Sequence, residues 1–332
     1  MRHLSERPIR WGIAGTGIIA SEFAEGLTLV DDCELVGVAS RSGEKAEEFG
    51  DRFGVPERHG SYESMADSDD VDVVYVATPH SRHRSDTLLF LDSGKAVLCE
   101  KPFAVNQSEA LDMMDAARSH GLFCMEAMWS RHLPAYVRMT ELLDEGAVGT
   151  PLLVEANFGV QMPFDPSHRL FDLNLGGGAL LDLGVYATQL SSLVLGVPDD
   201  AVAQGHLGDT GVDEHVAAVL HHPDGALGVV VASITSTLSC TARISGTEGA
   251  IELPAFMHCP NYLTVVRAGQ SERIDCPIEG NGLHYQATEV QRCLRAGLLE
   301  SPIMPLEETS SILKTLDVIR EQIGLVYPSD HR

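Results

Sequence analysis

Lys101 stands between Glu100 and Pro102, directly after the apolar run Ala96-Val97-Leu98-Cys99. Such a run reads as a buried strand, and open parallel sheets bind their ligands beyond the carboxyl ends of their strands. Pro102 ends the strand and biases Lys101 toward extended backbone. An ammonium fixed there would stand where such a sheet places its ligand, and with Gly15-Thr16-Gly17 nearer the start of the chain it suggests a nicotinamide-dependent oxidoreductase. The chain has only four lysines, at 45, 95, 101 and 314, so one at this position is less easily dismissed as background.

A second group of residues suits a dinucleotide. Gly15-Thr16-Gly17-Ile18-Ile19-Ala20 follows the apolar run Ile9 to Ala14 and opens a helical pattern. Gly15 permits a tight turn, Gly17 lets the backbone approach a pyrophosphate, and Ala20 keeps helix and strand close. A βα turn without a ligand could carry the same residues, so the strand–helix context is what favours the fingerprint. The second strand, Leu35 to Ala39, has no acid at its end; Glu34 lies at the wrong end, and the chain continues Ser40-Arg41-Ser42. Ser40 and Arg41 can bind a 2′-phosphate, with Lys45 as a third contact. NADP is therefore expected, with NAD as the alternative. Ala77-Thr78-Pro79-His80, closing the strand Val71 to Ala77, could line the same groove, and a plain loop with a proline stop explains these residues equally well.

The third constellation is Gly176-Gly177-Gly178 followed by Asp182, Gly184 and Tyr186. On a helix from Gly177 to Leu195, Asp182 and Tyr186 share one face. Gly184 costs roughly 1 kcal/mol against alanine inside a helix, which suggests close approach to a neighbouring element. A buried Asp and Tyr need polar partners, although a tyrosine taken alone is more often ordinary core. Trp129, Arg131, Phe158, His168, Arg169 and Phe171 could wall a substrate. Their rings would face C–H groups and their cations would bind hydroxyls, with contact favoured for Trp129 and Arg169.

Two scaffolds are needed to hold these groups. Strand-like and helix-like stretches alternate up to Leu122–Met125, the pattern of a doubly wound parallel sheet. Beyond Trp129 the chain reads as a helix, Pro134 to Glu145, then strands at 151–160, 201–207, 215–221, 228–235, 239–245 and 262–266. These suggest a largely antiparallel open sheet. Helices at 285–296 and 307–323 close the chain. The expected class is α/β: a Rossmann domain over residues 1–126 and an α+β substrate and oligomerisation domain over 127–332.

At 332 residues, 44% apolar and 21% charged, the composition is that of a globular protein of two domains. No apolar run is read as a membrane span, and the first residues lack a signal-peptide core, so a cytoplasmic protein is expected. Seven cysteines without a C-x-x-C pair suggest reduced, mostly buried thiols and no zinc site. A formal charge of −25 argues against nucleic acid or anionic membrane as partner. It also demands that a dinucleotide site be locally positive.

With these motifs in hand, the chain resembles the Gfo/Idh/MocA oxidoreductases over nearly its whole length. The resemblance rests on G-x-G-x-x-A at Gly15 to Ala20, A-T-P-x-x-x-H at Ala77 to His83, G-K-x-V-x-x-E-K-P at Gly94 to Pro102, and the G-G-G-x-x-x-D-x-G helix. Glu126-Ala127-Met128-Trp129-Ser130-Arg131, Arg169-Leu170-Phe171-Asp172, Tyr186 and the closing Gln322 to Pro328 are similar to the dihydrodiol and D-xylose dehydrogenase branch. The resemblance implies that Lys101 and Tyr186 carry proton transfer beside Asp182, with Gly15 to Ile19, Ser40, Arg41, Lys45, Thr78, Pro79, His83 and Glu100 about the cofactor. A nearby cation would bring a tyrosine below its ordinary ~10. It further implies a small sugar, polyol or diol substrate and a homodimer or homotetramer formed through the C-terminal sheet. Two alternatives share the fold: a cofactor-binding sensor without turnover, and an enzyme recycling a tightly held cofactor.

Overall fold

The computed structural model describes residues 7–331. The chain runs β1 (Ile9–Ala14), α1 (Ile18–Leu27), β2 (Cys33–Ala39), α2 (Gly43–Phe53), β3 (Glu57–His59), α3 (Tyr62–Ala66), β4 (Val73–Val76), α4 (His83–Asp92), β5 (Ala96–Glu100), α5 (Gln107–His120) and β6 (Cys124–Ala127). These six strands form one sheet in the order β3-β2-β1-β4-β5-β6, every pairing parallel. The order reverses between β1 and β4, the switch point of a doubly wound sheet. Val73-Val74-Tyr75-Val76 carries no charge and is fully buried, as a strand covered on both faces requires. β3 and α3 escape a reading by periodicity because neither is longer than five residues.

Next come α6 (Pro134–Asp144), β7 (Pro151–Gly159), α7 (Val185–Leu195), β8 (Asp200–Leu207), β9 (Asp213–His221), β10 (Leu227–Ser233), β11 (Ala242–Gly246), β12 (Gly249–Leu253), β13 (Tyr262–Arg267), β14 (Gln270–Asp275), α8 (His284–Ala296) and α9 (Leu306–Ile323). The eight strands order as β14-β13-β12-β11-β7-β10-β9-β8. Only β7 and β10 pair in parallel. β12 and β14 are additions to the strands read from the sequence. Alternation decides the faces: Val154, Ala156 and Phe158 of β7, and Gly228, Val230 and Ala232 of β10, are buried on one side. Small residues there let α7 sit close; a Cβ on Gly228 would lie 2.2 Å from Ser191 Oγ. The other face leaves Glu155, Asn157, Val229 and Val231 partly uncovered. It bears a cavity of about 450 Å³ whose lining includes Glu155, Asn157, Arg243, Glu252, Tyr262 and Thr264.

By internal packing the chain divides into two units that are discontinuous in sequence. Among the described residues the first comprises 7–104, 108–132 and 279–309, and the second 105–107, 133–278 and 310–331. A single boundary near residue 126 does not anticipate that α8 packs with the Rossmann elements. Leu173–Leu195 is long and apolar enough to meet the composition of a membrane span, which the sequence reading overlooked. Of its most apolar stretch, 83% is buried, as in a core helix. All seven cysteines are free, five of them buried and Cys33 and Cys259 half-buried.

Candidate active site

In the first unit, the carboxyl ends of β1, β4 and β5 lie side by side and carry three of the motifs. Gly15 turns with φ 117°, and a Cβ there would meet Ala77 O at 2.5 Å, so only glycine fits between these two strand ends. A Cβ on Gly17 would meet nothing within 4 Å: space stands open over the start of α1. No side chain caps that helix, which leaves its first N–H groups available to an anion. Ile18 is 82% exposed beside this space and Ile19 half-buried. Thr78 is buried with its hydroxyl unpartnered, at the end of β4. Ser40 is buried, its Oγ 3.4 Å from Thr16 Oγ1 and accepting from Ser42 N at 3.3 Å, while Arg41 and Lys45 are exposed. Pro79 is half-buried. An uncapped helix start, an open glycine and an unpartnered buried hydroxyl fit a dinucleotide.

Lys101 follows β5 directly, at the same sheet edge, in a cis peptide with Pro102. Glu100 does not face outward as a groove residue would: it is buried, accepting from Tyr75 OH and from Lys101 N at 3.2 Å. His83 likewise is a correction to the expected cofactor contact. It is fully buried, with Nδ1 2.8 Å from Pro102 O and Nε2 2.9 Å from Thr78 O. Burial pulls its ionisation down against these two carbonyls. Glu126 accepts from Phe103 N at 3.1 Å and from Thr309 Oγ1 at 2.9 Å, and burial pushes its carboxyl up to about 7. Trp129 is half-buried at the start of a 3-10 turn, Trp129–His132. Arg131 in that turn is buried and donates to Glu308 at 2.5 Å, an internal ion pair where a substrate contact was expected.

In the second unit, the predicted single helix is two pieces. Leu180–Gly184 is a π turn carrying Asp182, and α7 begins at Val185 just before Tyr186. Such bulges occur often at functional sites. The glycines are demanded by packing. A Cβ on Gly177 would lie 2.6 Å from Arg169 O, and one on Gly178 would lie 2.0 Å from Asp213 Oδ1. Gly184 approaches β10, its Cβ position 3.4 Å from Ala232 Cβ. Asp213 accepts from Leu180 N at 2.7 Å, and burial lifts its carboxyl to about 7. Tyr327, in the closing motif, donates to Gly177 O at 2.6 Å.

Arg169 forms a two-point ion pair with Asp182, Nη1–Oδ1 2.9 Å and Nη2–Oδ2 3.3 Å. Phe158 stands 5.7 Å from the Tyr186 ring. Phe171 is fully buried against Phe164, and His168 Nδ1 accepts from Leu170 N at 3.3 Å, so both serve local structure. The sequence reading passed over His258, stacked on Phe158 at 4.5 Å and 5.0 Å from Tyr186. A lone histidine between two strands carries no pattern that would reveal it. Glu126 and Asp213 were missed as well. A buried carboxyl is visible in sequence only where an apolar strand contains it, as Cys124-Met125-Glu126-Ala127 does.

The Rossmann sheet and its open phosphate turn define a dinucleotide-binding oxidoreductase architecture. Residues 9–128 match the oxidoreductase family, NAD-binding Rossmann fold, and residues 136–252 the GFO/IDH/MocA C-terminal domain. The chain is 40% identical to trans-1,2-dihydrobenzene-1,2-diol dehydrogenase of Mus musculus, over 98% of this chain and 99% of the relative. To the enzyme of that name from Homo sapiens it is 38% identical, over 98% and 99%. KijD10, a 3-ketoreductase from Actinomadura kijaniata solved with TDP-benzene and NADP, matches with a TM-score of 0.84 at 26% identity, covering 96% of this chain and 98% of its own. The chain belongs to the Gfo/Idh/MocA oxidoreductase family. It is a nicotinamide-dependent dehydrogenase acting on CH–OH groups.

Proposed function

We propose that the protein is an NADP(H)-dependent dehydrogenase of a secondary alcohol in a trans-dihydrodiol, a sugar or a cyclic polyol. The observation that carries this reading is Lys101, one residue past β5 on the strand-end edge that also holds Gly15 to Gly17 and Thr78. Relatives named for a dihydrodiol substrate support that substrate class. The NADP in the KijD10 complex, together with exposed Arg41 and Lys45 beyond β2, supports NADP.

When bound, the nicotinamide supplies the hydride acceptor or donor. The N–H groups at the start of α1 hold the pyrophosphate, and Ser40, Arg41 and Lys45 bind the 2′-phosphate. Lys101 and Tyr186 exchange the hydroxyl proton. Asp182, fixed by Arg169, orients them or the substrate, and Trp129, Phe158 and Arg169 wall the substrate. The partly uncovered sheet face around Glu155, Asn157, Val229 and Val231 supports self-association, which light scattering would read directly. Seven free cysteines support a reducing, cytoplasmic location.

Lys101→Met is expected to keep NADPH affinity in a fluorescence titration while losing ~10²–10⁴-fold in turnover. The assay is reduced-nicotinamide absorbance with trans-1,2-dihydrobenzene-1,2-diol and a panel of sugars and inositols. Undiminished turnover would remove the lysine from this role.

A further inference from the structure

We infer that His83 and Glu126 are positioning residues for Lys101, two buried side chains that hold the Pro102–Phe103 peptide unit, one at its carbonyl and one at its N–H, and so aim the ammonium. The inference rests on the proposed role of Lys101. A lysine ammonium rides on a flexible four-carbon stem, so where it can reach depends on where its backbone is fixed. β5 ends at Glu100, and beyond it the backbone groups of residues 101–103 have no ladder to join.

Side chains reach three of them. Glu100 accepts from Lys101 N at 3.2 Å, His83 Nδ1 lies 2.8 Å from Pro102 O, and Glu126 accepts from Phe103 N at 3.1 Å. These come from β5, α4 and β6, and the three residues are at most 6% exposed. Glu100 is anchored by Tyr75 and Glu126 by Thr309, while His83 Nε2 lies 2.9 Å from Thr78 O. The imidazole stands between the lysine turn and the cofactor-side loop after β4; neutral, its one N–H donates to one of the two carbonyls, and only the protonated ring donates to both. Apolar side chains could fill the same volume. Polar ones aimed at the peptide units before Lys101 and after Pro102 are what fixing a turn requires, and a misplacement of about 1 Å in a catalytic group can cost ~10²-fold.

Amide hydrogen exchange at Phe103 reads the clamp without any substrate. In Glu126→Ala that amide should exchange roughly 10–100-fold faster while Val97 and Leu98 in β5 keep their protection. Glu126→Gln, whose amide oxygen still accepts, should recover most of the protection. With NADP⁺ and trans-1,2-dihydrobenzene-1,2-diol, His83→Phe and Glu126→Ala should each lower kcat roughly 10–100-fold, with the KM for NADP⁺ nearly unmoved.

On a Lys101→Met background neither change should reduce the residual rate further, because both act through the lysine. Losses that multiply on that background, or unaltered Phe103 exchange in Glu126→Ala, overturn the inference. Should Glu126→Ala fail to fold, His83→Phe carries the cycle with Lys101→Met, and Glu126→Gln serves as the control that keeps the clamp. A fully active Lys101→Met would sink the functional reading instead, and Phe103 exchange alone would then decide whether the clamp exists.

Discussion

The Lys101 turn and the Tyr186 helix hold their candidate acid–base groups by different means. Around Lys101, polar side chains of the first unit reach backbone atoms, and each bond can be removed or restored singly. Around Tyr186, backbone meets backbone and carboxylate at distances that only missing side chains allow, at Gly177 and Gly178. One arrangement should therefore fail gradually and the other abruptly. Both nevertheless contain one buried carboxyl, Glu126 or Asp213, lifted to about 7 by desolvation.

The comparison is best broken at Gly178. Alanine there must adopt φ 124° with its Cβ 2.0 Å from Asp213 Oδ1. Gly178→Ala should destabilise the protein by about 4 kcal/mol or more, or prevent folding, as read by denaturant unfolding.

Next in size is the response to pH. Folded pKa values raised above 4.5 for Glu126 and 3.8 for Asp213, to about 7, mean that the folded chain binds more protons than the unfolded one across that window. Stability contributed by these groups is therefore greatest on the acid side and falls as pH rises toward 7, by on the order of 3 kcal/mol for each. Glu126→Gln and Asp213→Asn should each flatten the slope between roughly pH 5 and 7 in urea titrations. Unchanged slopes would mean that neither group is desolvated as the structure has it.

A smaller effect sharpens the second unit alone. Arg169→Ala removes two hydrogen bonds to the nearly buried Asp182 and should cost about 1–3 kcal/mol, the lower end being favoured by the half-exposed arginine. Asp182→Asn should cost less, since an amide oxygen still accepts. In the first unit, Arg41→Asp should lower kcat/KM with NADP relative to NAD by at least ~10-fold, equivalent to about 1.4 kcal/mol, if Arg41 binds the 2′-phosphate as proposed. The smallest effect on stability belongs to Gly17→Ala, within about 0.5 kcal/mol because its Cβ enters open space. The same variant should bind NADPH poorly, which separates a binding glycine from the packing glycine at 178.

Much of the candidate site's local backbone geometry was legible because its signals are local. A run of apolar residues closed by Lys101-Pro102, and glycines at 15 and 17 before a helical pattern, each specify their geometry within a few residues. What stayed hidden depends on partners distant in sequence. His83 looked like a groove residue until its nitrogens were found against Thr78 O and Pro102 O. Arg131 looked suited to binding hydroxyls until Glu308, far along the chain, was found opposite it. His258 and Asp213 carry no pattern at all, since nothing near them in sequence shows that they fold against Tyr186 or Leu180.

By itself, then, the order of residues determined the parallel Rossmann sheet, the phosphate turn after β1, and a lysine at the end of β5. Periodicity, glycine and proline act over neighbours only, and those neighbours are written consecutively. The tertiary structure alone decided the π turn under Asp182, the return of α8 to the first unit, and which carboxyl groups lie in the dark of the core. Each of these depends on what arrives from elsewhere in the chain to remove water, and desolvation has no signature in a string of residues.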